Sequence, residues 1–326
     1  IAKHSRLFSN SYFAGMIKLI IPFLCLVSSV VFAQDDSADV KILDKETILS
    51  EVVIRNDLDV VNFLYRIKND TTFYKAFRNL RILGFTSFND IKMLDKKGNI
   101  KASLFSKTKQ HRLNHCRSME VLEEKATGNM YDNSELNYYT ANLYASLFFT
   151  DGKVCNENNI VAGIERNMQG KSGMAKHKEQ LKMLFFNPGK KIPGIPFIGD
   201  KIDIFSPEVA QYYDYSVDMD EMSGQDCYVF KILPKQTLSS SQKNKIVFDN
   251  ITTWFNAKTM EIVARNYDLS YDTPVYDFNV HMEVEMTRFG DLLVPKVLRY
   301  NGNWKVAFKK REIGLFTATL FDFKTE

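Results

Sequence analysis

Along the last third of the chain, apolar and polar residues change places at every step. Tyr276, Phe278, Val280, Met282, Val284 and Met286 alternate with Asp277, Asn279, His281, Glu283, Glu285 and Thr287. A period of two puts the first set on one face of a strand and the second on the other. Similar runs occupy Cys227 to Leu233, Ile246 to Phe255, Met260 to Tyr271, Leu292 to Tyr300, Asn303 to Ile313 and Leu315 to Phe323. Turn-forming groups separate them: Ser223-Gly224-Gln225, Asn256-Ala257-Lys258, Asp272-Thr273-Pro274, Phe289-Gly290-Asp291 and Asn301-Gly302-Asn303. Connections this short cannot make a parallel crossover, so the pattern predicts an antiparallel meander of about seven or eight strands from Tyr212 onward, strongly bent or rolled.

Earlier segments carry a different period. From Asp57 to Arg81, Val60, Val61, Leu64, Tyr65 and Ile67 lie near helical spacing, and Asn69-Asp70-Thr71-Thr72 breaks the run with cap residues for a second short helix holding Phe73, Phe77 and Leu80. Leu80 to Gln110 reads as two strands joined by Asp95-Lys96-Lys97-Gly98-Asn99. Glu165 to Asn187 is rich in Lys, Met, Gln and Leu, a helical composition that stops at Asn187-Pro188-Gly189. Beyond it, Pro188, Pro193 and Pro196 with Gly189, Gly194 and Gly199 forbid a regular ladder, while Ile192, Ile195, Phe197 and Ile198 demand burial. This loop either plugs the sheet or forms an apolar flap over a ligand site.

Burying each apolar side chain of such a strand favours folding by about 1.5–3 kcal/mol. Several strands side by side would expose more apolar surface than a soluble protein tolerates, so the oily face must be covered. The available covers are the helices near 57–81 and 165–187. The expected fold class is therefore α+β, a strongly curved antiparallel sheet forming a half-barrel meander covered by helices. Residues 34–326 would make one domain, with an insertion over about 165–211.

The first residues specify a compartment. Met16-Ile17-Lys18 precedes the apolar run Leu19 to Phe32 and the junction Ala33-Gln34, the three parts of a secretory signal peptide cleaved after Ala33. Ile1 to Gly15 has no periodic pattern and reads as translated upstream sequence. The apolar run is shorter than the roughly 20 residues of a membrane helix. Cys25 follows Pro22-Phe23-Leu24, without the small residue that lipidation requires before the cysteine, so soluble export to the periplasm is expected over lipid anchoring. Cys116, Cys155 and Cys227 then remain, and export permits one bridge among them. Their spacing selects no pair, and isolated cysteines packed as small apolar residues are the simpler expectation.

Charge removes one class of partner. The 326 residues hold 43 Lys and Arg against 39 Asp and Glu. Three of the basic residues, Lys3, Arg6 and Lys18, lie in the acid-free first 33, and the remainder is nearly neutral. No one-signed field is left for nucleic acid. Catalytic patterns are incomplete as well. Gly170-Lys171-Ser172 lacks the phosphate-loop glycine, because Glu165 stands there. His111 and His115 beside Cys116 could join a metal set, but Lys107, Lys109 and Arg112 oppose a cation, and a solvated strand end is the expected reading. None of His111, His115, His177 and His281 lies in a nucleophile-elbow pattern. Asp218, Asp220, Glu221 and Asp226 lack the glycine and closing glutamate of a calcium loop. Lys309 and Arg311 would share one face of a strand, as an edge guard or a contact for anionic headgroups. No enzyme, cofactor or metal is expected.

Cys227-Tyr228-Val229-Phe230-Lys231-Ile232, Thr253-Trp254-Phe255-Asn256-Ala257-Lys258-Thr259 opening a hairpin, and Leu293-Val294-Pro295 before a strand, after a helix near the mature N-terminus, resemble the periplasmic lipoprotein-carrier superfamily. The resemblance covers roughly Tyr212 to Tyr300. The chain departs from that family in having Asn256 where its tryptophan turn carries Asp, in its length and in its middle insertion. The resemblance implies a half-open barrel around a helix, an apolar interior for lipid or lipoprotein acyl chains, and no catalytic residues, while contact with a membrane surface stays open through Lys309 and Arg311. The ligand-binding candidates are Tyr276, Phe278, Val280, Met282, Val284 and Met286, with Ile195, Phe197 and Ile198 if the loop is a flap. Two rivals use the same patterns. An outer-membrane barrel suits alternating strands, although the helices argue against it. A secreted carbohydrate- or protein-binding module would use Tyr212, Tyr213 and Tyr215 as surface tyrosines.

Overall fold

The computed structural model describes residues 52–54, 60–161, 180, 183–192, 198–273, 276–306 and 310–326, all of them in the unit Leu43–Glu326. The leader, Ile195, Phe197, Lys309 and most of the helix expected over 165–187 lie outside the described residues; of that expected helix Gln180 and residues 183–186 are described and are helical.

The two N-terminal helices form where the spacing predicts them, α1 over Val60–Asn69 and α2 over Thr72–Asn79, with a 3-10 turn at Leu80–Ile82. Asp70 makes the break between them, its Oδ1 accepting from the Thr72 amide at 2.9 Å and the Thr72 hydroxyl at 2.6 Å. A hairpin follows, β2 (Gly84–Leu94) and β3 (Ile100–Leu113). The Asp95 carboxylate shapes its turn by accepting from the amides of Lys97 and Asn99 at 2.8 and 2.9 Å. The segment after it, which the hydrophobic pattern leaves unassigned, holds β4 (Cys116–Gly128), a small hairpin of β5 (Tyr131–Asp132) and β6 (Glu135–Leu136), α3 (Tyr139–Phe148) and β7 (Lys153–Cys155).

After a short α4 (Pro207–Ala210), the predicted meander runs through β8 (Tyr213–Met222), β9 (Gln225–Pro234), β10 (Phe248–Asn256), β11 (Ile262–Asp272), β12 (Tyr276–Phe289), β13 (Leu292–Val306) and β14 (Glu312–Lys324). A one-turn helix, α5 (Ser240–Lys243), interrupts the β9–β10 connection at the serine triplet. The acidic residues Asp218 to Asp226 sit on the β8–β9 hairpin, closed by Ser223 and Gly224, both at positive φ (53° and 75°). Glycine meets that backbone requirement without strain.

Pairing of β14 with β2 carries the N-terminal hairpin onto the meander, giving a sheet of twelve strands in the order β1-β8-β9-β10-β11-β12-β13-β14-β2-β3-β4-β7, where β1 (Val52–Ile54) pairs parallel with β8. The architecture is a curved, open α+β half-barrel. Its two ends, β1 and β7, do not pair, so this sheet is not the closed outer-membrane barrel of the first rival.

The helices cover the inner face through aromatic and polar anchors. Phe63 of α1 meets Phe230 and Phe255 edge-on at 5.8 and 5.6 Å. Asn79 of α2 donates to the Leu293 carbonyl of β13 at 2.7 Å. Glu312 of β14 caps α3, its carboxylate accepting from the amides of Tyr139 and Thr140 at 3.0 and 2.8 Å, and Trp304 donates to the Thr140 hydroxyl. Such capping satisfies helix N–H groups that have no partner in their own turn.

Three expectations are corrected. Asn301-Gly302-Asn303 is not a turn: β13 runs through it, pairing Gly302 with Val280 on one side and Gly314 on the other. The glycine serves packing, since a Cβ there would lie 1.9 Å from the Tyr300 hydroxyl, whose ring stacks on Phe316 at 4.6 Å. Lys310 and Arg311 lie in the β13–β14 connection and not in a strand, and Arg311 pairs with Asp277. Cys116 and Cys155, opposite each other in β4 and β7, form a disulfide with an S–S distance of 2.07 Å, and among the described residues Cys227 is left as an isolated, buried thiol.

Candidate functional site

The inner face of β12 is where alternation places it. Phe278, Val280, Met282, Val284 and Met286 are 0–8% exposed and belong to one continuous core. The side chain of Tyr276 lies outside the described residues, and its backbone pairs with Val306. Tyr267 crosses from β11, donating its hydroxyl to the Phe185 carbonyl and approaching the Met282 sulfur at 3.0 Å. The space left between Met282, Tyr300 and the covering Leu143, Phe148 and Phe185 is about 20 Å³, one or two water volumes. These side chains are closed over by the chain's own helices.

The Pro-Gly loop packs inward at its described ends. Ile192 is fully buried and Ile198 is 3% exposed. Ile195 and Phe197 lie outside the described residues. Lys190, next to the loop, sits over the Phe205 ring at 5.7 Å, and burial pulls its ammonium down to about 8.

Larger space opens at the end of the sheet. A cleft of about 900 Å³ lies between the β9–β10 connection and the β11–β12 turn. Its apolar wall includes Leu233, Leu238, Ile246, Tyr271 and Phe278, the last also on the predicted ligand face. Lys201, Lys235 and Lys243 stand against Asp249, Asp272 and Asp277 on its polar side. Lys201 bridges the mouth, donating to the Asn244 carbonyl at 3.0 Å and to the Tyr271 hydroxyl. Burial raises the Asp249 carboxyl above its ordinary range. A cleft of this size with a mixed lining suits a small amphiphilic molecule.

No protein-family model matches the chain. No curated protein matches it either. Among solved structures, a DUF1329 family protein from Desulfovibrio piger aligns over 78% of this chain and 94% of its own at 10% identity, with a TM-score of 0.24. A putative outer membrane lipoprotein-sorting protein domain from Vibrio parahaemolyticus aligns over 76% and 89% at 7% identity, with a TM-score of 0.26. A LolA superfamily protein from Nitrosomonas europaea aligns over 79% and 94% at 8% identity, with a TM-score of 0.23. The half-barrel follows from the chain's own strand order.

Other predicted chemistry disperses. His111 is exposed near the end of β3 with its Nε2 3.0 Å from Glu120, and no group of metal-ligating side chains occurs among the described residues. Tyr212, Tyr213 and Tyr215 are 8%, 2% and 2% exposed, so the surface tyrosines of the second rival are core residues. His281 sits on the outer face between Asp268 at 2.6 Å and Glu283 at 3.2 Å. Burial opposes its charge, yet the hydrogen bonds to the two carboxylates outweigh it and raise the imidazole above its usual value.

One inward charge escaped the reading by pattern. Arg265 of β11 stands opposite Val284 and is 9% exposed. Its guanidinium stacks over Phe73 at 4.4 Å, and its Nε donates to the Thr253 hydroxyl at 2.9 Å. Burial lowers its basicity, and Asp70 partly offsets this. The signal was parity: Val263, Arg265, Tyr267 and Leu269 share one face of the strand.

Proposed function

We propose that this chain is an exported, periplasmic, non-enzymatic envelope protein that binds a lipid or a lipidated partner, with the apolar part of the ligand seated in the cleft at the mouth of the half-barrel. The observation that carries the reading is that cleft of about 900 Å³, whose wall includes Phe278 of the inner face of β12 beside Tyr271, Leu238 and Ile246. The rest of that face is packed by protein side chains. An acyl chain therefore enters at the mouth, while Val280, Met282, Val284 and Met286 support it from below. Among the described residues no helix is long and apolar enough to cross a membrane.

Extraction of the purified chain followed by mass spectrometry is expected to yield co-purified lipid, and a fluorescent fatty acid should bind saturably. Leu233 is 42% exposed and lines the cleft, so Leu233→Glu can be made without disturbing the core. It should weaken uptake by about tenfold, the loss of one buried apolar side chain. Empty extracts together with no uptake of the fatty acid would overturn the reading.

A further inference from the structure

Another cavity, about 80 Å³, shares no lining residue with the mouth cleft and lies between the end of α2, β3, β4 and α3. Three guanidinium groups line it: Arg78, Arg81 and Arg117. Glu157 meets two of them, its Oε1 3.2 Å from Arg81 Nη1 and its Oε2 2.5 Å from Arg117 Nε. Arg117 also donates to the Gln110 side-chain carbonyl at 3.2 Å and to the Thr150 hydroxyl. Arg78 gives one Nη2 hydrogen bond to the Asn158 carbonyl at 3.2 Å, and its Nε is buried with no hydrogen-bond partner.

These contacts leave a charge imbalance. One carboxylate stands against three cations, and an unpaired buried N–H of a charged group is costly. Burial, Arg78 and Arg117 all pull the basicity of Arg81 down, which an added anion would reverse. Phe77, Phe148 and Phe186 also line it, with Leu80, Leu147, Gln110 and Ser146, so the cations face a mixed protein wall and not open water alone. About 80 Å³ admits a group of several water-sized atoms. Arginine forks match the oxygens of a phosphoryl group, and planar guanidiniums tolerate aromatic neighbours.

We propose that Arg78, Arg81 and Arg117 form a phosphoryl-binding site, taking a phosphate monoester either free in solution or at the head of a lipid. Arg78 Nε supplies the unspent donor, while Arg117, held by Glu157, Gln110 and Thr150, is the fixed wall. Arg81, with its side chain 34% exposed, is the entry side. The site is separate from the mouth cleft, and its failure leaves the reading of that cleft untouched.

Calorimetric titration of the full chain with inorganic phosphate tests it. Saturable binding is expected, weakened about tenfold or more in Arg78→Gln and in Arg81→Gln with the circular dichroism spectrum unchanged. Flotation with phosphatidylcholine vesicles, with and without phosphatidic acid, separates the sources. Retention that needs phosphatidic acid and is competed by phosphate assigns a lipid head, and phosphate binding without retention assigns a soluble ester. Should a variant fail to fold, protection of the three arginines from phenylglyoxal by phosphate is read on the unaltered chain. Absence of both saturable phosphate binding and phosphatidic-acid-dependent retention overturns the site. So does binding unchanged in both variants, or equal modification of the three arginines with and without phosphate.

Discussion

Individual side chains on the two faces of this sheet obey opposite rules, and His281 shows the outer one. Its imidazole bridges Asp268 and Glu283, while Arg299 reaches Glu283 at 3.3 Å and Glu285 at 2.9 Å, so charges of alternating sign run across β11, β12 and β13. The folded state raises the affinity of His281 for its proton. Its stabilising effect is therefore fully present below the unfolded value of about 6.5 and is lost as pH rises through the higher folded value. His281→Asn should lower the urea midpoint at pH 6 and leave it nearly unchanged at pH 9. An equal loss at both pH values would mean that packing, and not the proton, is what the imidazole contributes. On the inner face, Arg265 shows how far residue type can mislead. Alternation places its side chain inward, and the ring of Phe73, the hydroxyl of Thr253 and the charge of Asp70, distant in sequence, make that placement tolerable. The arginines around Glu157 were invisible for the same reason, since Arg78, Arg117 and Glu157 come together only through the fold.

Strands and helices differ in how much of themselves they write into the chain. A strand with one buried face writes a period of two, which made β8 to β12 and β14 legible to within a few residues. β4 does not, because Glu120 to Gly128 is exposed on both faces and nothing in it needs to alternate. Asn301-Gly302-Asn303 misleads because glycine reads as a turn residue, whereas here its missing side chain admits the Tyr300 ring onto Phe316. The disulfide was one of three open pairings until β4 and β7 were seen side by side. Only three residue pairs join these strands, and the covalent bond adds to them just before Glu157. Closing a loop with a sequence separation of 39 restricts the unfolded chain, and the double variant Cys116→Ala/Cys155→Ala should lose about 2–4 kcal/mol in urea unfolding. An unchanged midpoint would show that the ladder alone holds the β4 end of the sheet.

At the scale of the whole molecule, the half-barrel form was predictable while its contents were not. An oily concave face has to be covered, but only the volumes of the covering side chains decide whether a cavity remains. Here Phe185 decides it. The ring is 6% exposed, meets Tyr300 edge-on at 5.9 Å, and borders the 20 Å³ gap beside Met282. Two arrangements of ligand predict opposite behaviour when this ring is removed. If the ligand sits at the mouth, Phe185 is purely a core residue, and Phe185→Ala should cost about 3–5 kcal/mol of stability with fatty-acid affinity unchanged. If the interior itself took up the acyl chain by displacing its cover, truncating the cover would relieve the competition and tighten binding. Measuring the urea midpoint and the fatty-acid affinity on one preparation separates the two. A destabilised variant with unaltered affinity places the ligand outside the core, whereas tighter uptake would move the binding site from Phe278 at the rim down to Met282 and Val284 beneath the helices.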